Sequence, residues 1–180
     1  MTHSAILGIV SAVWVGAEVI LAILTHGTAR KDRSSYAALN LLIGGGILAA
    51  AMVSKYLRMP SGTFWPGMAL IAIGIAIRAT AILTLRRYFT VQVTIQDSHE
   101  LIERGLYRFI RHPAYTGALL SFLGLGLAFG SWLSLAIIVA ASLIGFAYRI
   151  RVEEQALAGH FGDRYRAYAA RTKRIIPGIY

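Results

Sequence analysis

The sequence has no cysteine and only eight acidic residues among 180. A disulfide-stapled module, a cysteine-based zinc site and a thiol nucleophile each need cysteine, so all three are excluded. Charged residues make up 14% of the chain, against about 25% in an ordinary soluble domain. The N-terminus lacks the basic region and the small-residue cleavage site of a signal peptide, so residues 4–24 read as a retained helix.

What is abundant is apolar. Hydrophobic residues reach 57% and come in blocks, under a formal net charge of +10. A pI near 10.4 points at first sight to nucleic acid. The blocks point instead to a membrane protein whose loops hold the basic residues, and no nucleic acid is needed. A bilayer-spanning helix takes about 20 apolar residues. Residues 4–24, 36–54 and 66–85 fit, with Glu18 inside the first and Arg78 inside the third. Glu18 and Arg78 are expected to form a structural pair or to snorkel.

Residues 114–148 hold no charge. As one helix that stretch would run about 52 Å, well beyond a hydrocarbon core of about 30 Å. Gly130-Ser131 in its middle predicts two short helices of about 25 Å joined by a tight turn. The expected fold is therefore all-α and integral to the membrane. It has five transmembrane helices, the last two a short hairpin, and a cytoplasmic C-terminal helix over 149–171. Residues 1–85 form a three-helix membrane part and 86–180 a cofactor-binding part of the same unit. Fifteen of the 18 basic residues fall on one side of this topology, which places the N-terminus outside and the C-terminus in the cytoplasm.

The chemistry concentrates in the second half. Pro113 disfavours a helical conformation at His112 and suits the first turn of the helix that follows. Tyr107, Arg108, Arg111, His112, Tyr115 and Gly117 precede or open the hairpin, while Arg149, Arg151, Glu153 and Glu154 follow it. A tight hairpin brings its two ends together, so the clusters should meet. Between them, Gly124 and Gly126 allow close backbone approach, which in a membrane helix is more often a packing face than a ligand site. Arginines, carboxylates and aromatics around one short hairpin suit a charged, zwitterionic cofactor, since arginine takes carboxylates bidentately. A nucleotide diphosphate also remains open. Soluble nucleotide-binding motifs are absent, and His99, His112 and Glu153 form no recognised metal motif.

Leu106-Tyr107-Arg108-x-x-Arg111-His112-Pro113-x-Tyr115-x-Gly117, followed by Glu153-Glu154, resembles the isoprenylcysteine carboxyl methyltransferase family. The resemblance extends to Phe161-Gly162-x-x-Tyr165-x-x-Tyr168 and to residues 174–180, and it covers about half the chain. Leu106 stands where many bacterial relatives have proline. The resemblance implies an integral membrane methyltransferase using S-adenosylmethionine and releasing S-adenosylhomocysteine. It implies cofactor contacts from His112, Pro113, Tyr115, Gly117, Glu153 and Glu154. Gly124 and Gly126 match the Gly-x-Gly of related phospholipid methyltransferases, with Tyr107, Arg108 and Arg111 nearby. Arg149 or Arg151 would hold an anionic acceptor, and Glu153 would hold cofactor or act as a base. The acceptor is expected to be lipophilic or lipidated and to arrive from the bilayer: an isoprenylcysteine carboxylate or another lipid carboxylate, phenol or thiol. The expected setting, among membrane lipids, is a bacterial inner membrane. The competing readings are an NADPH-dependent membrane reductase and a non-enzymatic membrane scaffold.

Overall fold

A computed structural model describes residues 33–89 and 100–178 and, ahead of them, residues 2, 5–10, 12, 13, 16 and 20. Among these, the elements are helical. Helix α1 spans Arg33–Val53, α2 Phe64–Leu85, α3 Pro113–Ala128, α4 Trp132–Phe161 and α5 Asp163–Arg171. Short 3-10 turns follow α2 at Arg86–Tyr88 and precede α3 at Gly105–Arg108. The described residues at 5–10, 12, 13, 16 and 20 are helical as well, and Leu7 and Val10 pack against the main core. Most of the expected first span, with Glu18, lies outside the described residues, as does His99.

Among the described residues, three helices are long and apolar enough to cross a membrane: Ser35–Val53, Phe64–Leu85 and Trp132–Phe161. Helix α3 is a fourth apolar helix of 16 residues, about 24 Å long. The turn between α3 and α4 falls at the expected glycine. Gly130 has φ 63°, and the Ser131 hydroxyl accepts from Ser134 N at 3.2 Å, capping α4. The same hydroxyl donates to Tyr56 O at 2.7 Å, and Trp132 N donates to Leu57 O at 3.0 Å. The hairpin tip is thereby tied to the loop between α1 and α2.

One expectation needs correction. The second arm of the hairpin is not short, and the helix expected over 149–171 is first the continuation of that arm and only from Asp163 a separate helix. Helix α4 runs unbroken for 30 residues, about 45 Å, which exceeds the hydrocarbon core of about 30 Å. Its last turns therefore stand in the polar phase. Nothing between Tyr148 and Phe161 stops a helix, because the sequence there is rich in Ala, Glu, Gln and Leu. The break comes at Gly162, with φ 55°, and α5 then sets off in a new direction.

The helices pair α1 with α4, α4 with α3, and α3 with α2, so the hairpin stands between α1 and α2. The main core takes Ala50 from α1, Ile71 from α2, Phe122 and Leu125 from α3, Ile138, Phe146 and Ile150 from α4, and Ile175 from the tail. Leu41, Leu48, Met52 and Leu83 point outward and are strongly exposed, as a lipid-facing surface requires. The protein is integral to the membrane.

The α2–α3 contact is the closest. Cβ atoms added at Gly117 and Gly124 would lie 2.5 Å from Gly74 O and Gly67 O respectively. Small residues that let backbones touch are the usual adhesive between helices in lipid, where the hydrophobic effect is absent. Ser121, fully buried, adds hydroxyl contacts to Ile71 O at 3.3 Å and Gly117 O at 3.1 Å. Gly124→Leu is expected to cost about 1–3 kcal/mol, as overpacking does, and to lower the melting temperature in detergent. Gly45→Leu on α1, where nothing lies within 4 Å of an added Cβ, should melt like the wild type. Equal melting of all three proteins would refute the close packing.

Candidate functional site

The site forms where the polar end of α4 meets the chain entering α3. His112 precedes α3 with φ −125° and ψ 56°, outside the helical region, and Pro113 follows in the first turn. Proline imposes that break and leaves the backbone N–H groups just before it in need of partners. The C-terminal tail supplies them. Arg111 N donates to Lys173 O at 2.7 Å, His112 N to Arg174 O at 2.9 Å, and Lys173 N returns to Phe109 O at 3.3 Å. Thr116 Oγ1 donates to Ile175 O at 2.7 Å, and the Ile175 side chain is buried in the main core. The tail is thus a strap laid across the mouth of the hairpin.

Glu154 is the hub of the side chains. Arg111 Nε donates to its Oε1 at 2.8 Å, and Arg174 Nε and Nη2 both reach its Oε2 at 3.0 Å. His112 Nε2 stands 3.4 Å from Oε1. Arg111 Nη1 also donates to Ala169 O at 2.9 Å and Thr172 O at 2.5 Å. Glu153 is different. Its carboxylate accepts from the Tyr115 hydroxyl at 2.8 Å, stands 3.9 Å from His112 Nδ1, and is 31% exposed. Glu154 is occupied by protein cations, while Glu153 faces outward.

Aromatic rings line the inner side. His112 stacks on Tyr115 at 5.6 Å, and Tyr115 on Phe146 at 5.1 Å. Arg149 sits one helical turn before Glu153, is 2% exposed, and donates from Nη1 to the buried Ser35 hydroxyl at 2.5 Å. Arg78 donates to Ala114 O at 3.2 Å at the start of α3. The expected Glu18 partner of Arg78 lies outside the described residues. Tyr107 is buried and its carbonyl accepts from Tyr168 Oη at 2.7 Å. Burial, with a smaller effect of the Glu153 carboxylate, pushes the Tyr107 phenol well above its ordinary pKa, so it stays protonated.

Of the residues singled out from sequence, Tyr107, Arg111, His112, Pro113, Tyr115, Arg149, Glu153 and Glu154 come together. Arg108 and Arg151 are exposed, and Arg108 stands over the Phe109 ring at 5.9 Å. Gly117 and Gly124 are pressed against α2, and an added Cβ at Gly126 would meet Leu135. All three glycines thus make packing contacts with a neighbouring helix. Ser35, Thr172 and Arg174 take part without having been singled out for the site. The tail carried a signal in its apolar and aromatic ending, whereas Ser35 carried none.

The arrangement sets cations, one outward carboxylate and a ring stack at the membrane boundary, where a polar ligand and an apolar one would meet. Residues 63–164 match the family model described as phospholipid methyltransferase. Protein-S-isoprenylcysteine O-methyltransferase B of Arabidopsis thaliana is 30% identical over 175 residues, covering 90% of this chain and 86% of the relative. The Schizosaccharomyces pombe protein-S-isoprenylcysteine O-methyltransferase is 28% identical over 167 residues, covering 87% and 70%. The solved eukaryotic intramembrane Ras methyltransferase, isoprenylcysteine carboxyl methyltransferase, superposes with a TM-score of 0.60 at 26% identity. That match covers 83% of this chain, which spans 55% of the longer one.

Glu154→Gln leaves Arg111 and Arg174 without their counter-charge. Breaking a buried pair from one side costs about 3–5 kcal/mol, so the variant should melt well below the wild type in detergent. Asp163→Asn, in an exposed pair with Arg166, should not change melting. A Glu154→Gln protein as stable as Asp163→Asn would show that Glu154 is not the hub.

Proposed function

We propose the following for this chain, which belongs to the protein-S-isoprenylcysteine O-methyltransferase family: it uses S-adenosylmethionine to methylate the carboxylate of an isoprenylcysteine-like acceptor. One observation carries the site assignment. His112 and Tyr115 at the entry to the hairpin meet Glu153 and Glu154 at its exit, within a buried frame of arginines. The basic end of the hairpin is cytoplasmic under the positive-inside rule. With residues 4–24 counted as a span, the N-terminus lies outside. Composition favours a bacterial inner membrane as the setting.

The residues present fit the cofactor. It is a zwitterion with a sulfonium, and the site offers an outward carboxylate, buried guanidinium groups, a ring stack and the buried Tyr165 hydroxyl, which has no protein partner. When bound, it supplies a methyl group already activated by the positive sulfur. What remains for the protein is alignment and exclusion of water.

Glu153 holds the ribose hydroxyls or the ammonium group, and Tyr115 orients Glu153 through its 2.8 Å bond. His112, at the outer end of the ring stack on Tyr115 and Phe146, offers a ring face to the purine. Arg149 holds the acceptor carboxylate. It is buried where α1, α3 and α4 converge, and Ser35 orients its guanidinium. A carboxylate acceptor is already ionised at neutral pH and needs no base. Tyr107, kept protonated by burial, is suited to donating a hydrogen bond and not to taking a proton. Arg151 is exposed and is assigned no role.

The NADPH reading loses ground. It needs free cations for a 2′-phosphate, yet Arg111 and Arg174 are engaged by Glu154. A scaffold has no need of a half-exposed carboxylate held beside a buried arginine.

Calorimetry on detergent-purified protein should show saturable binding of S-adenosylhomocysteine, weakened at least tenfold in Glu153→Ala and not displaced by NADPH. With a farnesylated N-acetylcysteine as acceptor, Arg149→Ala should raise KM while keeping the cofactor affinity. A well-folded wild type that binds no S-adenosylhomocysteine would overturn the function. An Arg149→Ala enzyme with unchanged KM would remove Arg149 from the acceptor site.

A further inference from the structure

Helix α5 carries two tyrosines, Tyr165 and Tyr168, whose rings lie 6.1 Å apart in one apolar cluster with Leu101, Leu157 and Phe161. Both side chains are almost fully buried, at 4% and 3% exposure. Their hydroxyls differ. Tyr168 Oη donates to Tyr107 O at 2.7 Å. Tyr165 Oη is buried and has no partner, and among the described residues it is the one such side-chain atom. Burying a hydroxyl without a hydrogen bond is costly, and native chains rarely tolerate it without a reason. If the ring alone mattered, phenylalanine would fill the same space at lower cost.

The position of the hydroxyl supplies a reason. Leu157, which packs in the Tyr165 cluster, follows Glu153 by one turn of α4. On the other side, Arg111 donates to Ala169 O in α5, and Ala169 also packs in that cluster. Tyr165 is therefore held between the segment that carries Glu153 and Glu154 and the segment that anchors Arg111. The charges of Glu154, Arg111 and Glu153 all bear on its hydroxyl, and burial pushes its pKa upward, so it stays protonated.

We infer that Tyr165 is a cofactor-binding residue whose hydroxyl donates a hydrogen bond to an acceptor atom of the bound cofactor. This inference rests on the proposed methyltransferase reading. It assigns α5 a direct part in ligand binding, beyond supporting the Arg111–Glu154 pair.

The test is Tyr165→Phe, with Tyr168→Phe beside it. Each is measured by thermal melting without ligand and by S-adenosylhomocysteine calorimetry. Tyr165→Phe should melt at or above the wild-type temperature, because no protein hydrogen bond is lost. Its Kd for S-adenosylhomocysteine should rise about tenfold, equivalent to about 1.4 kcal/mol. Tyr168→Phe should melt lower, because a buried bond to Tyr107 is lost. A Tyr165→Phe Kd within twofold of wild type overturns the inference and leaves the methyltransferase reading standing. So does a weaker Kd accompanied by a melting loss as large as that of Tyr168→Phe. If the wild type binds no S-adenosylhomocysteine, the function itself fails and takes the inference with it.

Discussion

One carboxylate holds the second half of this molecule together. Glu154 receives Arg111 and His112 from the chain before α3 and Arg174 from the tail. Those segments are far apart in sequence, and the carboxylate lies at the polar end of α4. In so basic a chain, buried acids are the scarce partner. Three cationic or titratable groups converging on one carboxylate make that acid hard to replace, since desolvating an uncompensated guanidinium costs far more than a surface pair returns. Around this hub the local backbone is determined. Proline breaks the helix at His112, the break exposes N–H groups, and the strap held by Arg174 satisfies them.

The consequence for chemistry is a division between adjacent carboxylates. Successive residues on a helix are rotated by about 100°, so Glu153 and Glu154 need not share surroundings. Glu154 turns toward the arginines and is saturated. Glu153 turns toward Tyr115 and remains 31% exposed. A Glu-Glu pair thus provides one buried structural anion and one outward-facing anion, and the first makes the position of the second reproducible.

The membrane part was legible wherever lipid contact decides the sequence. Hydropathy placed α1 and α2 within a few residues, and Gly130-Ser131 marked the hairpin turn. The length of α4 was not legible that way, because hydropathy reports where lipid ends and not where a helix ends. Helix propensity carried α4 on to Gly162. Convergence of the His112 and Glu154 clusters followed from topology alone. Arg149 and Arg151 could not be separated by residue type, but their spacing separates them. Two positions along a helix is about 200°, and Arg149 is buried where Arg151 is exposed. Gly117, Gly124 and Gly126 show the packing role that stands beside the ligand motif for the glycine pair. Their positions fit a ligand motif, yet each is pressed against a neighbouring helix. Ser35 was invisible because serine near a helix start is a common capping residue, and only the tertiary structure brings it to Arg149.

The spacing of Arg149 and Glu153 on α4 also bears on how the proposed transfer would be arranged. They are four residues apart, hence on nearly the same face and separated by about one pitch of 5.4 Å. Tyr115 contacts the second of them from α3, and Ser35 contacts the first from α1. A guanidinium and a carboxylate are therefore fixed about one turn apart on a single rigid helix, with the guanidinium deeper. Under the proposed function, a carboxylate drawn from the lipid side stops at Arg149, and a polar donor entering from the cytoplasm stops at Glu153. Their separation is set by helix geometry and not by a flexible loop. Misplacement by an ångström can cost a transfer reaction about a hundredfold. A frame that fixes both ends on one helix, and locks that helix by Glu154 to the strap, is suited to a reaction that needs alignment more than proton transfer.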